Sequence, residues 1–154
     1  MHQLPTGNDQ LLLEGEFEAF GKQELFDYWV TPTLLTQWWP REAEVVPGKG
    51  GTYKFLWPEM GWELQGKYLE FEPAEKLGFT WKWNHEPVDR PTLYVELRFQ
   101  DGPNGGTLLT IGQGPYTDSP ESQVDRQGHL EGWTHFCMLL AGLKEGIQDR
   151  ALTE

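Results

Sequence analysis

The sequence predicts an α+β domain: a curved antiparallel sheet wrapped on one long C-terminal helix, with two short helices after the first strand. Three observations predict it. Short segments with two-residue alternation fill the middle of the chain, and one-sided alternation marks an antiparallel sheet with one dry and one wet face. Turn signals separate these segments, at "WPEMGW", "EFEPAEK", "NHEPVDRP" and "DGPNGG". Only the last stretch carries apolar residues at helical spacing over a length that can cover a bare sheet face.

"LLLEGEFEAF" reads as the opening strand. "KQELFDYWV" and "PTLLTQWW" read as short helices. Pro32 suits a helix start, and Pro40 ends the second helix because the residue before a proline avoids helical angles. "PGKGG" is a turn: it precedes a strand, so it lacks the helix N-terminus that holds phosphate. "GTYKFLW" puts Tyr53, Phe55 and Trp57 on one face. In "GWELQGKYLEF" Trp62 and Tyr68 share a parity that Leu69 and Phe71 oppose, which predicts a bulge or a strand covered on both sides. "EKLGFTWKW" aligns Leu77, Phe79, Trp81 and Trp83, and "TLYVELRF" aligns Leu93, Val95, Leu97 and Phe99. "TLLTIG" closes a hairpin after "DGPNGG", giving a sheet of about six strands. The final helix is expected from about Ser119 to Gln148, with Ser119 as cap and Pro120 in the first turn. Trp133, Phe136, Leu140, Leu143 and Ile147 form its apolar stripe.

The 154 residues suit one domain spanning 1–154, with residues 1–9 expected as a loose N-terminal segment. Acidic residues number 24 against 12 basic ones, for a net charge of −12. That balance argues against nucleic acid and anionic membranes as partners. No apolar run approaches the ~20 residues of a membrane span, and "MHQLPTGNDQ" has no signal-peptide pattern. The one cysteine, Cys137, excludes an intramolecular disulfide. A cytoplasmic location is the expectation. Eight tryptophans and an aromatic share of 14% are the unusual features, fit either for a bulky core or for lining a cavity.

Catalytic and metal motifs are sparse. His2, His85, His129 and His135 have no zinc-ligand spacing, and no metal or other cofactor is expected. Glu131 and His135 read as a solvated pair off the apolar stripe, and Cys137 as a buried inert thiol. No G-x-S-x-G, P-loop or G-x-G-x-x-G motif occurs in the required context. The informative polar pair is Asp125 and His129, four residues apart on the side of Trp133. Hydrogen-bonded to each other, they would form a polar anchor facing the sheet.

The pieces "LFDYWVTPTLLTQWWP", "GGTYKF", "GKYLEFEPAEKLGFTW", "GTLLTI" and "GHLEGWTHFCMLLAGL" together resemble the SRPBCC or START-like superfamily, the helix-grip fold. Within it the chain is similar to the family named for its likeness to the heat-shock-protein-90 ATPase activator. The resemblance implies a cavity between sheet and C-terminal helix, but no single reaction, because the superfamily spans lipid carriers, hormone receptors, and polyketide aromatases and cyclases. It also gives the Trp38–Trp39 corner a meaning: side chains about 100° apart on a helix cannot fill one spot, so one packs inward and the other reaches the cavity mouth.

The expected ligand-binding set is Trp39, Tyr53, Phe55, Trp57, Trp62, Trp81, Trp83, Val95, Asp125, His129 and Trp133. The leading reading is binding of a small apolar molecule, aromatic or lipid-like, without catalysis. One rival is an aromatase/cyclase-like enzyme using Asp125, His129 or Tyr53 as acid or base. Another is a chaperone-associated, stress-response interaction module; the activator itself carries an extra N-terminal domain, for which this chain is expected to have no room. Met138 and Gly142 could serve a homodimer.

Overall fold

The alternating segments assemble into one antiparallel sheet in the order β1-β2-β8-β7-β6-β5-β4-β3. The computed structural model describes residues 1–153, with side chains described through residue 144. The strands are β1 (His2–Gln3), β2 (Leu11–Phe17), β3 (Glu42–Val45), β4 (Thr52–Trp57), β5 (Trp62–Glu72), β6 (Lys76–Trp83), β7 (Leu93–Asp101) and β8 (Thr107–Gly114). The helices are α1 (Lys22–Val30), α2 (Pro32–Leu35) and α3 (Pro120–Thr153). After β2 the chain crosses through α1 and α2 to the far edge. It then meanders back from β3 to β8, which pairs with β2. This is the helix-grip arrangement.

Eight strands replace the expected six because both edges carry short strands. β3 is only four residues long, and its two glutamates are exposed on a charged edge that discourages further pairing. At the other edge His2 and Gln3 pair with Glu14 and Leu13, and Leu4 N–H donates to Leu12 O at 2.8 Å. The N-terminal residues expected to be loose are thus partly pinned, because β2 would otherwise leave an unpaired backbone edge.

The dry face follows the predicted parity. Leu77, Phe79 and Trp81 of β6, and Val95, Leu97 and Phe99 of β7, are all buried. Each such side chain contributes about 1.5–3 kcal/mol of apolar burial. The parity conflict in β5 is a bulge, with the register shifting between Tyr68 and Glu70. Gly66 of β5 lies close against β6: a Cβ there would stand 2.0 Å from Thr80 O.

The cap of α3 forms as expected, with Ser122 N–H donating to Ser119 Oγ at 3.2 Å. The helix runs past Gln148 to Thr153; the Ile147 side chain lies outside the described residues. Trp133, Cys137 and Leu140 are its buried stripe, and Phe136 and Leu143 are half-buried beside it. Trp133 Nε1–H donates to Gln113 Oε1 of β8 at 2.7 Å. Lys144 donates to Ala19 O at 2.6 Å and pairs with Glu24, fastening the helix near the start of α1. No described helix is long and apolar enough to cross a membrane.

Candidate functional site

α3 does not close evenly on the sheet. Between α3 and the Trp57 end of β4, β5 and β6 a cavity of about 190 Å³ remains. Its wall is Trp39, Trp57, Met60, Trp62, Trp81, Trp83, Gly128, His129, Gly132, Trp133 and Phe136. Six of the eight tryptophans of the chain therefore meet in one place. The other two, Trp29 and Trp38, pack behind them. No charged side chain is in the wall.

The elements deliver these rings for separate reasons. Trp81 and Trp83 share the inner parity of β6, so they stand next to each other with centroids 5.7 Å apart. Trp57 and Trp62 flank the tight turn at Pro58–Met60 and pair across it in register. Trp62 and Met60 are 41% and 52% exposed and form the mouth. Opposite them α3 presents Gly128 and Gly132, where a Cβ would meet nothing within 4 Å. Glycine in a helix costs about 1 kcal/mol relative to alanine, and here it leaves that side of the cavity open.

The two adjacent tryptophans stack on each other at 5.5 Å, both buried, and reach different neighbours. α2 ends at Leu35, earlier than expected, and both rings stand on the turns that follow. Trp38 packs on Trp29 at 4.7 Å and donates its Nε1–H to Tyr28 O at 3.0 Å. Trp39 turns to the cavity, where it stacks on Trp81 and meets Trp57, Trp133 and Phe55.

His129 is the one titratable side chain in the wall. Its ring meets Trp81 edge-on at 5.4 Å, and its Nδ1 lies 2.8 Å from Tyr116 Oη. Burial pushes the imidazole down to about 4, against a smaller upward pull from Asp125. Burial also raises the Tyr116 phenol above its ordinary range. The ring is thus neutral at physiological pH.

Of the eleven expected site residues, Trp39, Trp57, Trp62, Trp81, Trp83, His129 and Trp133 line this cavity. Tyr53, Phe55 and Val95 do not; they are closed core. Tyr53 Oη donates to Thr80 O at 2.6 Å, and its phenol is raised by burial and by Tyr68, so it is unfit as an acid or base. Asp125 is not hydrogen-bonded to His129. Its Oδ2 lies 2.5 Å from Arg90 Nη1, because the cationic loop side chain outcompetes a neutral imidazole for the carboxylate. Met60, Gly128, Gly132 and Phe136 line the cavity without having been expected there. Met60 sits between two lining tryptophans in "WPEMGW", and the glycines are four apart on the helix face beside His129. Those spacings were the available signals.

Two other expectations concern reactivity. Cys137 is buried, and burial pushes its thiol up to about 12. Glu131 and His135 are exposed. Among the described residues no group of three His, Cys, Asp or Glu side chains could hold a metal. A larger depression of about 470 Å³ lies between the loop after β6 and the start of α3. Its wall carries Glu86, Asp89, Arg90 and Glu121, so it offers little dry surface.

Solved structures share this architecture. A Mesorhizobium loti protein, MLL2253, is 22% identical with a TM-score of 0.76, over 88% of this chain and 96% of that one. DynU16, described as a protein of the dynemicin biosynthetic locus, is 19% identical with a TM-score of 0.73, over 92% of this chain and 49% of that one. The Aha1 dimer of Colwellia psychrerythraea is 14% identical with a TM-score of 0.72, over 86% of this chain and 93% of that one. These likenesses carry the fold. No curated protein matches the chain. Residues 21–145, from the start of α1 into the last third of α3, match the family described as activator of Hsp90 ATPase homolog 1-like protein, and the chain belongs to that family.

Proposed function

We propose that this protein binds a small, flat, apolar molecule in the tryptophan cavity. One observation carries the reading: about 190 Å³ of space walled by six indoles, a phenylalanine and two helix glycines, with no charge in the wall. Ligand sites are mostly apolar with few placed polar groups. A cavity of roughly 150 Å³ lined by apolar side chains holds benzene, so this one suits a one- or two-ring aromatic better than a long lipid chain. Catalysis of the aromatase or cyclase kind draws less support, because one neutral histidine without a second acid or base in the wall is a poor proton relay.

The test is a titration with naphthalene, read by tryptophan emission, since six indoles surround the probe. The expected Kd is on the order of micromolar to tens of micromolar, within the efficiency bound for a ligand of this size. Trp81→Ala and Trp83→Ala should each shift it. No response from naphthalene or from any other small aromatic would leave the cavity without a ligand role.

Family membership supports a second reading, contact with a heat-shock ATPase. Addition of the protein to a purified Hsp90 ATPase assay decides it; unchanged turnover removes this reading and leaves the first untouched. The dimeric Colwellia relative makes a homodimer worth measuring by sedimentation, with Met138 exposed on α3 as a candidate contact.

A further inference from the structure

The polarity of the cavity wall says more about the ligand than its size does. An indole nitrogen is a donor only, so the six tryptophans add no acceptor to the wall, and the Trp133 N–H is already given to Gln113 Oε1. Another of these groups, Trp81 Nε1–H, is buried with no hydrogen-bond partner. Met60 sulfur is a weak acceptor at the mouth. His129 decides the balance, since a neutral imidazole is a donor at one nitrogen and an acceptor at the other.

Tyr116 settles which is which. It stands outside the cavity, buried, with its Oη 2.8 Å from His129 Nδ1. Among the described residues that hydroxyl has no other hydrogen-bond partner. Were the imidazole proton on Nδ1, the buried phenolic proton would be left without an acceptor, at a cost of about 1–3 kcal/mol. The phenol therefore donates to Nδ1, and the imidazole carries its proton on Nε2. Nε2 stands across the ring from Nδ1 and makes no hydrogen bond among the described residues; it is not one of the sealed, unpartnered atoms, so a molecule held against the His129 wall can reach it.

We propose that the ligand is a neutral one- or two-ring aromatic bearing a hydrogen-bond acceptor, presented to His129 Nε2–H, and that Tyr116 is the positioning residue that fixes this proton. The proposal rests on the reading of the cavity as a ligand site. A carbonyl, ether or ring-nitrogen acceptor fits; a ligand whose only polar group is a donor does not.

Naphthalene, quinoline and indole test it, being flat two-ring probes with no polar atom, an acceptor and a donor. Imidazole 15N shifts at neutral pH should show the Nε2–H tautomer for His129 in the wild type and a mixture in Tyr116→Phe, which keeps the ring and removes the hydroxyl. The ratio of quinoline to naphthalene affinity should fall about three- to tenfold in His129→Phe, the range of one neutral hydrogen bond, and about twofold in Tyr116→Phe, where quinoline selects the Nε2–H fraction of the mixture. His129→Phe serves alone if Tyr116→Phe does not fold. An Nδ1–H tautomer in the wild type, indole favoured over quinoline, or a ratio unmoved in the variants would overturn the proposal while naphthalene still binds. If none of the three probes binds, the cavity reading itself falls and takes this one with it.

Discussion

Arg90 Nη1 lies 2.5 Å from Asp125 Oδ2, and this ion pair ties the loop after β6 to the early turns of α3. Lys82 holds the same loop from below, donating to Arg90 O at 2.6 Å. Helical phase places Asp125 on the same side as His129, but a cation from the loop after β6 takes the carboxylate. The two side chains are 27% and 34% exposed, so solvent screens the pair. A double-mutant cycle of Arg90→Ala and Asp125→Ala in urea should give a coupling of about 0.2–1 kcal/mol. Asp125→Asn should leave naphthalene affinity within about twofold. A tenfold loss would return Asp125 to the cavity.

The Trp38–Trp39 corner yields a paired prediction. Trp38 is 3% exposed and hydrogen-bonded to Tyr28 O, packed behind the wall on Trp29 and on the back of Trp39. Trp38→Phe should cost about 1–3 kcal/mol of stability, by losing a buried hydrogen bond and packing volume, with naphthalene affinity nearly unchanged. Trp39, stacked 5.9 Å from Trp81, is part of the wall itself. Trp39→Phe should enlarge the cavity and change that affinity about threefold or more. The reverse pattern would mean that the roles of the two rings are exchanged.

Strand parity made much of this architecture legible, and its limit is equally physical. Parity tells which face a side chain occupies but not how far along the strand the cover is lifted. Tyr53, Phe55 and Trp57 share one face of β4, yet only Trp57 reaches the cavity. Tyr53 is enclosed by Tyr68 and Phe79, whereas Trp57 meets Trp83 beside the open turn. Val95 is buried for the same reason, two strands from that end. The bulge in β5 showed in the sequence as a parity conflict, because an extra residue inverts the alternation. Edge strands such as β3 did not show, since they bury too little to need an apolar pattern. The partners of His129 and Asp125 were invisible because Tyr116 and Arg90 reach them through loops, which periodicity does not describe.

The helix glycines separate stability from binding. At Gly128 and Gly132 a Cβ would meet nothing within 4 Å, so alanine fits without a clash. Gly132→Ala should stabilise the protein by up to about 1 kcal/mol through helix propensity. Gly132→Leu should remain folded, place its side chain in the cavity, and weaken naphthalene about tenfold or more. Opposite signs for stability and affinity are not what a residue serving packing alone would give. A leucine variant that binds naphthalene like the wild type would place the probe elsewhere.

His129 should make the fold sensitive to acid. Its folded value is lowered to about 4 from an ordinary value of 6.5. Above the ordinary value neither state holds the proton, and this residue adds no pH dependence. As pH falls below it, the unfolded chain takes the proton and the native ring does not, so stability drops. Below about 4 the native ring protonates as well and the loss is complete, on the order of 3 kcal/mol. Trp81 and Tyr116 crowd the imidazole and oppose its charge, while Asp125, held by Arg90, relieves only a little of that cost. Carboxylates titrate in the same range, so the quantity to measure is the difference in urea stability between wild type and His129→Phe across it. That difference should fall steadily on acidification, with His135→Phe, at an exposed position, following the wild type. A wild-type-minus-variant difference that stays flat from pH 6.5 to 4 would show His129 titrating as it does in water, and the dry environment assigned to its ring would be wrong.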